Sequence, residues 1–165
     1  LPPYIDLDIF RHIEDYGAAL VVSQYVFNWG GGLTADGVWG VVPPFPELGH
    51  PPRNRHEALW DIATWDLTRD TWLHQFTSQN RVRWALDFVE RWQCQGAIFH
   101  LNRGEKGGLI GVLDARLALR KRGVPTLVYE GSATDKRDID RATVLDAIDA
   151  FMESLELKRV APGPA

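Results

Sequence analysis

The stretch "GAIFHLNRGEKGG", Gly96 to Gly108, sets the fold class of this chain. Its first half, "GAIFHL", is a short apolar run opened by glycine, the pattern of a strand buried on both faces. Its second half is polar and glycine-rich and leads into "LIGVLDARLALRKR". There Leu109, Leu113 and Leu117 recur at helical spacing, and Gly123 ends the run. Beyond that helix "VPTLVYE" is a second buried strand, ending at Glu130. Strand, helix and strand in this order make a parallel crossover unit.

Outward from this unit the same alternation continues. Upstream, "QNRVRWALDFVERWQ" reads as a helix carrying Trp84, Phe88 and Trp92 on one stripe, and "HEALWDIATWDLTR" as another. The run "AALVVSQY" has the β-branched, continuously apolar character of a third strand. Before it, Asp6 can cap a helix through "LDIFRHIEDY", with Ile9, Phe10 and Ile13 on one face and Gly17 closing it. Downstream, Asp138 or Asp140 caps a helix whose Val144, Ile148, Phe151 and Leu155 point one way. The sum is an α/β protein, a doubly wound (Rossmann or flavodoxin-like) parallel sheet with three visible strands. Its first element is a helix, and "LPPY" reads like the loop after a strand. A leading strand is therefore expected to be missing from this sequence. A single domain over residues 1–160 and a flexible tail over 161–165 are the expected organisation.

Composition bounds the function. A chain of 165 residues with 45% hydrophobic and 24% charged residues can bury a core as one domain. A net charge of −4 speaks against a nucleic-acid surface, and "RKR" at Arg120 to Arg122 sits where cations offset a helix C-terminus. Cys94 is the single cysteine, so no internal disulfide or all-cysteine metal site can form within the chain; between helix and strand it reads as a packed thiol. No apolar run is long enough for a membrane span and no signal peptide is visible, so no membrane partner and a cytoplasmic location are expected. Seven tryptophans, and an irregular segment from about Phe27 to Arg55 with "GGG", "PPFP" and "PP", point to a functional or interface loop. Trp29 and Trp39 in that loop need apolar cover.

Ligands of open parallel sheets bind beyond the carboxyl ends of the strands. Those ends carry Ser23, Gln24 and Tyr25, then His100, Asn102, Arg103 and Glu105, then Glu130, Gly131, Ser132 and Asp135. His100, Asn102, Arg103 and Glu130 are the candidate catalytic residues. Gly104, Gly107 and Gly108, with Ser23 and Tyr25, are the candidate ligand-binding ones, because glycine lets backbone approach a ligand at the N-terminus of the next helix. Plainer roles stand beside these: a polar His at a strand end, and an Arg103–Glu130 salt bridge. "GEKGGLIG" is neither a P-loop nor a GxGxxG fingerprint.

Ordered segments along the chain carry a family resemblance. "PPYIDLDIFRHIEDYGAALVVSQY", "GGGLTADGVWG", "CQGAIFHLNRG", "LDARLALRKRGVPTLVYEG" and "DKRDIDRATVLDAIDAFMESL" resemble the carboxyl-terminal domain of the benzoyl-CoA reductase and 2-hydroxyacyl-CoA dehydratase family. The "HLNRG" and "RLAL" segments most resemble a cluster-bearing subunit of the ATP-dependent reductase. The resemblance implies a heteromeric, oxygen-sensitive enzyme of anaerobic metabolism acting on an acyl-CoA thioester. It also implies a second subunit of the same family, an ATP-hydrolysing activator and a [4Fe–4S] cluster held by thiolates. In that family HxNR is followed by Ser or Gly and then by a ligating Cys; Glu105 holds that position here, and the other ligands belong to an amino-terminal portion. Cys94, six residues before His100 on a strand rising roughly 3.3 Å per residue, is too far away to replace it. With its cysteine ligand absent, the chain is expected to bind no cluster alone. Two functions follow: a reductase- or dehydratase-like subunit contributing an acyl-CoA site within a complex, or a cluster-free relative that binds acyl-CoA or acts as a structural or regulatory partner.

Overall fold

The computed structural model describes residues 6–23, 32–33, 39–40, 48–68, 77–104, 107–132 and 135–160. In chain order they form α1 (Asp8–Glu14), β1 (Gly32–Leu33), β2 (Trp39–Gly40), α2 (Arg55–Thr68), α3 (Ser78–Arg91), β3 (Ala97–Asn102), α4 (Val112–Lys121), β4 (Thr126–Gly131) and α5 (Arg141–Ser154). Short 3-10 turns at Gly107–Leu109 and Lys136–Asp138 precede α4 and α5. Tyr25, Trp29, Glu105 and the 161–165 tail lie outside the described residues, as does most of the glycine- and proline-rich loop.

β3 and β4 pair in parallel over six positions, Ala97 opposite Thr126 through Asn102 opposite Gly131. Helices cover both faces of this pair. On one face Ile98, Leu127 and Tyr129 meet Ile9, Ile13 and Tyr16 of the α1 region and Val144, Ile148, Phe151 and Met152 of α5. On the other, Ala97 and Phe99 meet Ala85 of α3 and Ala115 and Leu119 of α4. Residues one apart on β3 thus serve opposite cores, which is why the run had to be apolar throughout. β1 and β2 form a separate antiparallel bridge two residues long.

The caps follow from local chemistry. Asp140 starts α5, its carboxylate accepting from the Thr143 N–H at 3.2 Å and the Thr143 hydroxyl at 2.8 Å. At the start of α2 Asn54 Oδ1 accepts the Glu57 N–H and the Asn54 amide donates to Glu57 Oε1, each at 2.9 Å, while Glu57 Oε2 accepts the Arg53 N–H at 2.8 Å. Asp6 accepts the Asp8 N–H just ahead of α1.

Two expectations change. Residues 18–23, the described part of the expected third strand, are in no ladder, and Leu20 and Val21 lie about half exposed. Propensity favours extended backbone there, but a strand exists only with a hydrogen-bonding neighbour. The inward face of α4 is also rotated from the leucine stripe. Leu109, Leu113 and Leu117 are exposed, while Val112, Ala115 and Leu119 are buried. Gly111 fixes that rotation. Its φ is +72°, and a Cβ there would stand 2.6 Å from Ser78 Cα, so α4 begins only after this residue passes close under the start of α3. The regular helix therefore starts at Val112, later than the pattern indicates. Phe88 of the aromatic stripe is buried and stacks on Trp84 at 3.8 Å, whereas Trp92 is 43% exposed. Among the described residues no helix is long and apolar enough to cross a membrane.

Candidate functional site

The carboxyl ends of β3 and β4 lie side by side because the two strands run parallel in register. Alternation along β3 then distributes its polar residues. His100 falls on the face of Ile98, toward α1 and α5, and in register opposite Tyr129. Asn102 follows at the last ladder position, half-buried and opposite Gly131. The ladder is prolonged by the Arg103 N–H donating to the Gly131 carbonyl at 2.8 Å.

His100 and Tyr129 pack ring against ring, centroids 5.0 Å apart and planes inclined by 38°. His100 Nε2 is out of contact with solvent. Tyr129 is buried; burial first, and the Asp6 carboxylate second, push its phenol far above the usual range, so it stays protonated. Asp6, also buried, takes an ion pair from Arg141 Nε at 3.4 Å, and Arg141 reaches Asp8 at 3.1 Å. The start of α1 and the start of α5 are thus tied together beside this strand end.

Arg103 and Glu130 form the other part of the site. Arg103 Nε donates to Glu130 Oε1 at 3.2 Å across the two strand ends, with both side chains more than half exposed. Glu130 alternates with Tyr129, so this ion pair lies off the face that carries His100. The four candidate catalytic residues therefore share one end of the sheet in two sets, a half-buried imidazole with Asn102 and a solvent-facing ion pair. Gly104 sits exposed in the turn after β3, and Gly107 and Gly108 open the 3-10 turn before α4. Ser23 ends the described segment that follows α1. Ser132 and Asp135 serve the backbone: Ser132 Oγ accepts from the Asp135 N–H at 3.0 Å, and Asp135 accepts from the Arg137 N–H at 2.9 Å.

Sequence reasoning missed Tyr129 as a partner of His100. The signal was available, because aligning the two strands by their polar ends sets these residues opposite each other. It also missed a polar cluster away from the strand ends. There Asp149 of α5 accepts from Tyr16 at 2.7 Å, contacts His12 Nε2, and pairs with Arg159 at 3.1 Å. With the Val160 N–H donating to Asp15 O at 2.7 Å, this cluster fastens the segment after α5 to α1. Its members are as much as 147 residues apart, beyond any local pattern.

Cys94 precedes β3, at the strand's amino end, its thiol 4.0 Å from the Phe88 carbonyl oxygen and pushed up by burial. It is the chain's single thiol. A thiolate-ligated cluster at the loop after β3 does not fit this donor set, since the one soft ligand stands at the wrong end of the strand.

Compared with known proteins, the chain matches over residues 1–155 the model of the family described as 2-hydroxyglutaryl-CoA dehydratase, D-component. It is 26% identical over 146 residues to the lactoyl-CoA dehydratase subunit alpha of Anaerotignum propionicum, covering 74% of this chain and 34% of that protein. The chain thus spans about a third of the length of this curated relative. No solved structure matches it.

Proposed function

From the premise that this chain belongs to the 2-hydroxyglutaryl-CoA dehydratase D-component family, we propose that it is a 2-hydroxyacyl-CoA dehydratase-like subunit or domain contributing an acyl-CoA site to a heteromeric complex. The observation that carries the reading is the parallel register of β3 and β4, which sets His100, Asn102, Arg103 and Glu130 at one sheet end. Arg103 is the anion-binding group: a fixed guanidinium, exposed and reorientable, suited to a phosphate of coenzyme A. His100 and Asn102 face the buried side, where a thioester can be hydrogen-bonded away from water. Ser23, with Gly104, Gly107 and Gly108, would line the approach, and Tyr25, a candidate of the same set, lies outside the described residues. On the same reading the helix-covered parallel pair belongs to a doubly wound, flavodoxin-like sheet, and the protein works in the cytoplasm with a second subunit and an ATP-dependent activator.

The test is calorimetric titration of the full chain with lactoyl-CoA, benzoyl-CoA and free coenzyme A. Binding of a thioester, weakened about tenfold by Arg103→Ala, is the expected result. Heat with none of the three ligands sinks the reading. Preference for benzoyl-CoA would move the assignment to the reductase branch.

A second reading is favoured by the single, misplaced thiol: a cluster-free relative whose role is acyl-CoA binding, or structural or regulatory support of a partner subunit. Anaerobic isolation followed by iron and acid-labile sulfide analysis separates the two. Stoichiometric iron and sulfide on the chain by itself defeats the cluster-free reading; a cluster that appears only with a partner subunit supports the first.

A further inference from the structure

The imidazole of His100 owes its place to two residues of the neighbouring strand. A Cβ added to Gly131 would stand 2.9 Å from His100 Nε2 and 3.4 Å from its Cδ2. The first distance is shorter than real Cβ contacts, so the ring fills the space that a side chain at 131 would take. Gly131 is not among the glycines with positive φ, so the backbone would accept another residue there. A side chain there would displace the imidazole. The ring also rests against Tyr129, and Tyr129 is itself buried in the core between α1 and α5. In register, His100 is opposite Tyr129, and Gly131 is two positions further along β4, on the same face. The imidazole thus leans toward the carboxyl end of the sheet, the end where ligands of parallel sheets bind.

We propose that Gly131 and Tyr129 are positioning residues for His100: glycine leaves the berth, tyrosine forms its wall, and the imidazole is held in one orientation at the ligand end of the sheet. The physical benefit is preorganisation. A side chain already in its binding orientation loses less rotamer freedom when a ligand arrives, and neighbours that lock its rotamer keep hydrogen-bond geometry within tolerance. This deepens, and rests on, the reading of this strand end as the acyl-CoA site, with His100 as the group that meets the thioester and the two others acting only through it.

The experiment is long-range proton–nitrogen NMR on the full chain labelled at histidine nitrogens, with His100 assigned by the signals lost in His100→Gln. Three variants are compared: Gly131→Ala, Tyr129→Leu and Tyr129→Phe. Gly131→Ala is expected to move the His100 ring resonances and leave those of His12 and His50 in place. Tyr129→Leu should abolish the ring-current displacement of the His100 protons, and Tyr129→Phe, which keeps a ring, should retain it. His100 resonances unmoved in Gly131→Ala and Tyr129→Leu overturn the proposal. Should Gly131→Ala not fold, the leucine and phenylalanine pair still decides it, since equal spectra for those two would sink it. Thioester titration of the same samples keeps the two levels apart. Both displacing variants should bind lactoyl-CoA about tenfold more weakly. A wild-type chain that binds no thioester defeats the acyl-CoA reading, while the spectra still answer whether the ring is positioned.

Discussion

Asp149 gathers a tyrosine hydroxyl, a histidine and an arginine around one carboxylate. Partial burial opposes its ionisation, and is the largest single influence, but the bonds from Tyr16, His12 and Arg159 together outweigh it and hold its pKa below the ordinary 3.8. The sign for stability follows. The ionised form is favoured in the folded state, so its contribution is complete above the unfolded value and is lost as pH falls through the depressed folded value. Asp149→Asn should therefore lower the urea midpoint at pH 7, and the gap to wild type should shrink once pH drops below about 3.8. A gap that stays constant down to pH 2.5 would remove the carboxylate from the account. The Arg103–Glu130 pair is a contrasting case. Both side chains are more than half exposed, so Glu130→Gln should change stability by less than about 1 kcal/mol while altering ligand binding. His100, Arg103 and Glu130 were legible as candidates because polar residues at the end of an apolar run stand out. Tyr129 was overlooked, because an aromatic inside such a run looks like core; its contact with His100 shows only once the two strands are set in register.

For elements, α4 is the instructive one. Its sequence offers two apolar stripes, and leucine spacing favours the one through Leu113 and Leu117. The helix buries the other, because Gly111 at φ +72° and its approach to Ser78 set the angle at which the chain enters. The two stripes differ in a measurable way. Leu119→Ala, at 1% exposure, should cost about 2–5 kcal/mol in urea unfolding, whereas Leu117→Ala, at 56%, should stay within about 0.5 kcal/mol. Equal losses would mean that the exposed stripe is covered in solution. Gly111→Ala adds a left-handed alanine and a contact with Ser78 Cα, and should cost about 2 kcal/mol or more by the same measurement. Elsewhere periodicity served well: Ile9 and Ile13 of α1, and Val144, Ile148 and Phe151 of α5, are buried as their spacing selects, with Phe10 and Leu155 of the same stripes half-buried. Those helices pack on a sheet face without a glycine steering their entry, so the widest apolar stripe turns inward.

At the scale of the molecule, two cores among the described residues share one pair of strands. The cluster of α1 and α5 and the cluster of α3 and α4 lie on opposite faces of β3 and β4. Amides of residues 98–101 and 127–130 should accordingly be the slowest to exchange, and those of residues 18–23, in no ladder, among the fastest. Hydrogen exchange read by mass spectrometry checks this; protection over 18–23 equal to that of β3 would restore the third strand. The sequence by itself determined the α/β class, the parallel crossover, most helix positions and the polar loop behind β3, since each rests on local periodicity or on chain punctuation. It also determined that the chain has one thiol, Cys94, placed before β3 and not in the loop after it. Only the tertiary structure decided which face of α4 is buried, that residues 18–23 join no ladder, and that His100 lies against Tyr129 over Gly131. Each of those depends on contacts between residues far apart in sequence, where a single close approach outweighs local preference.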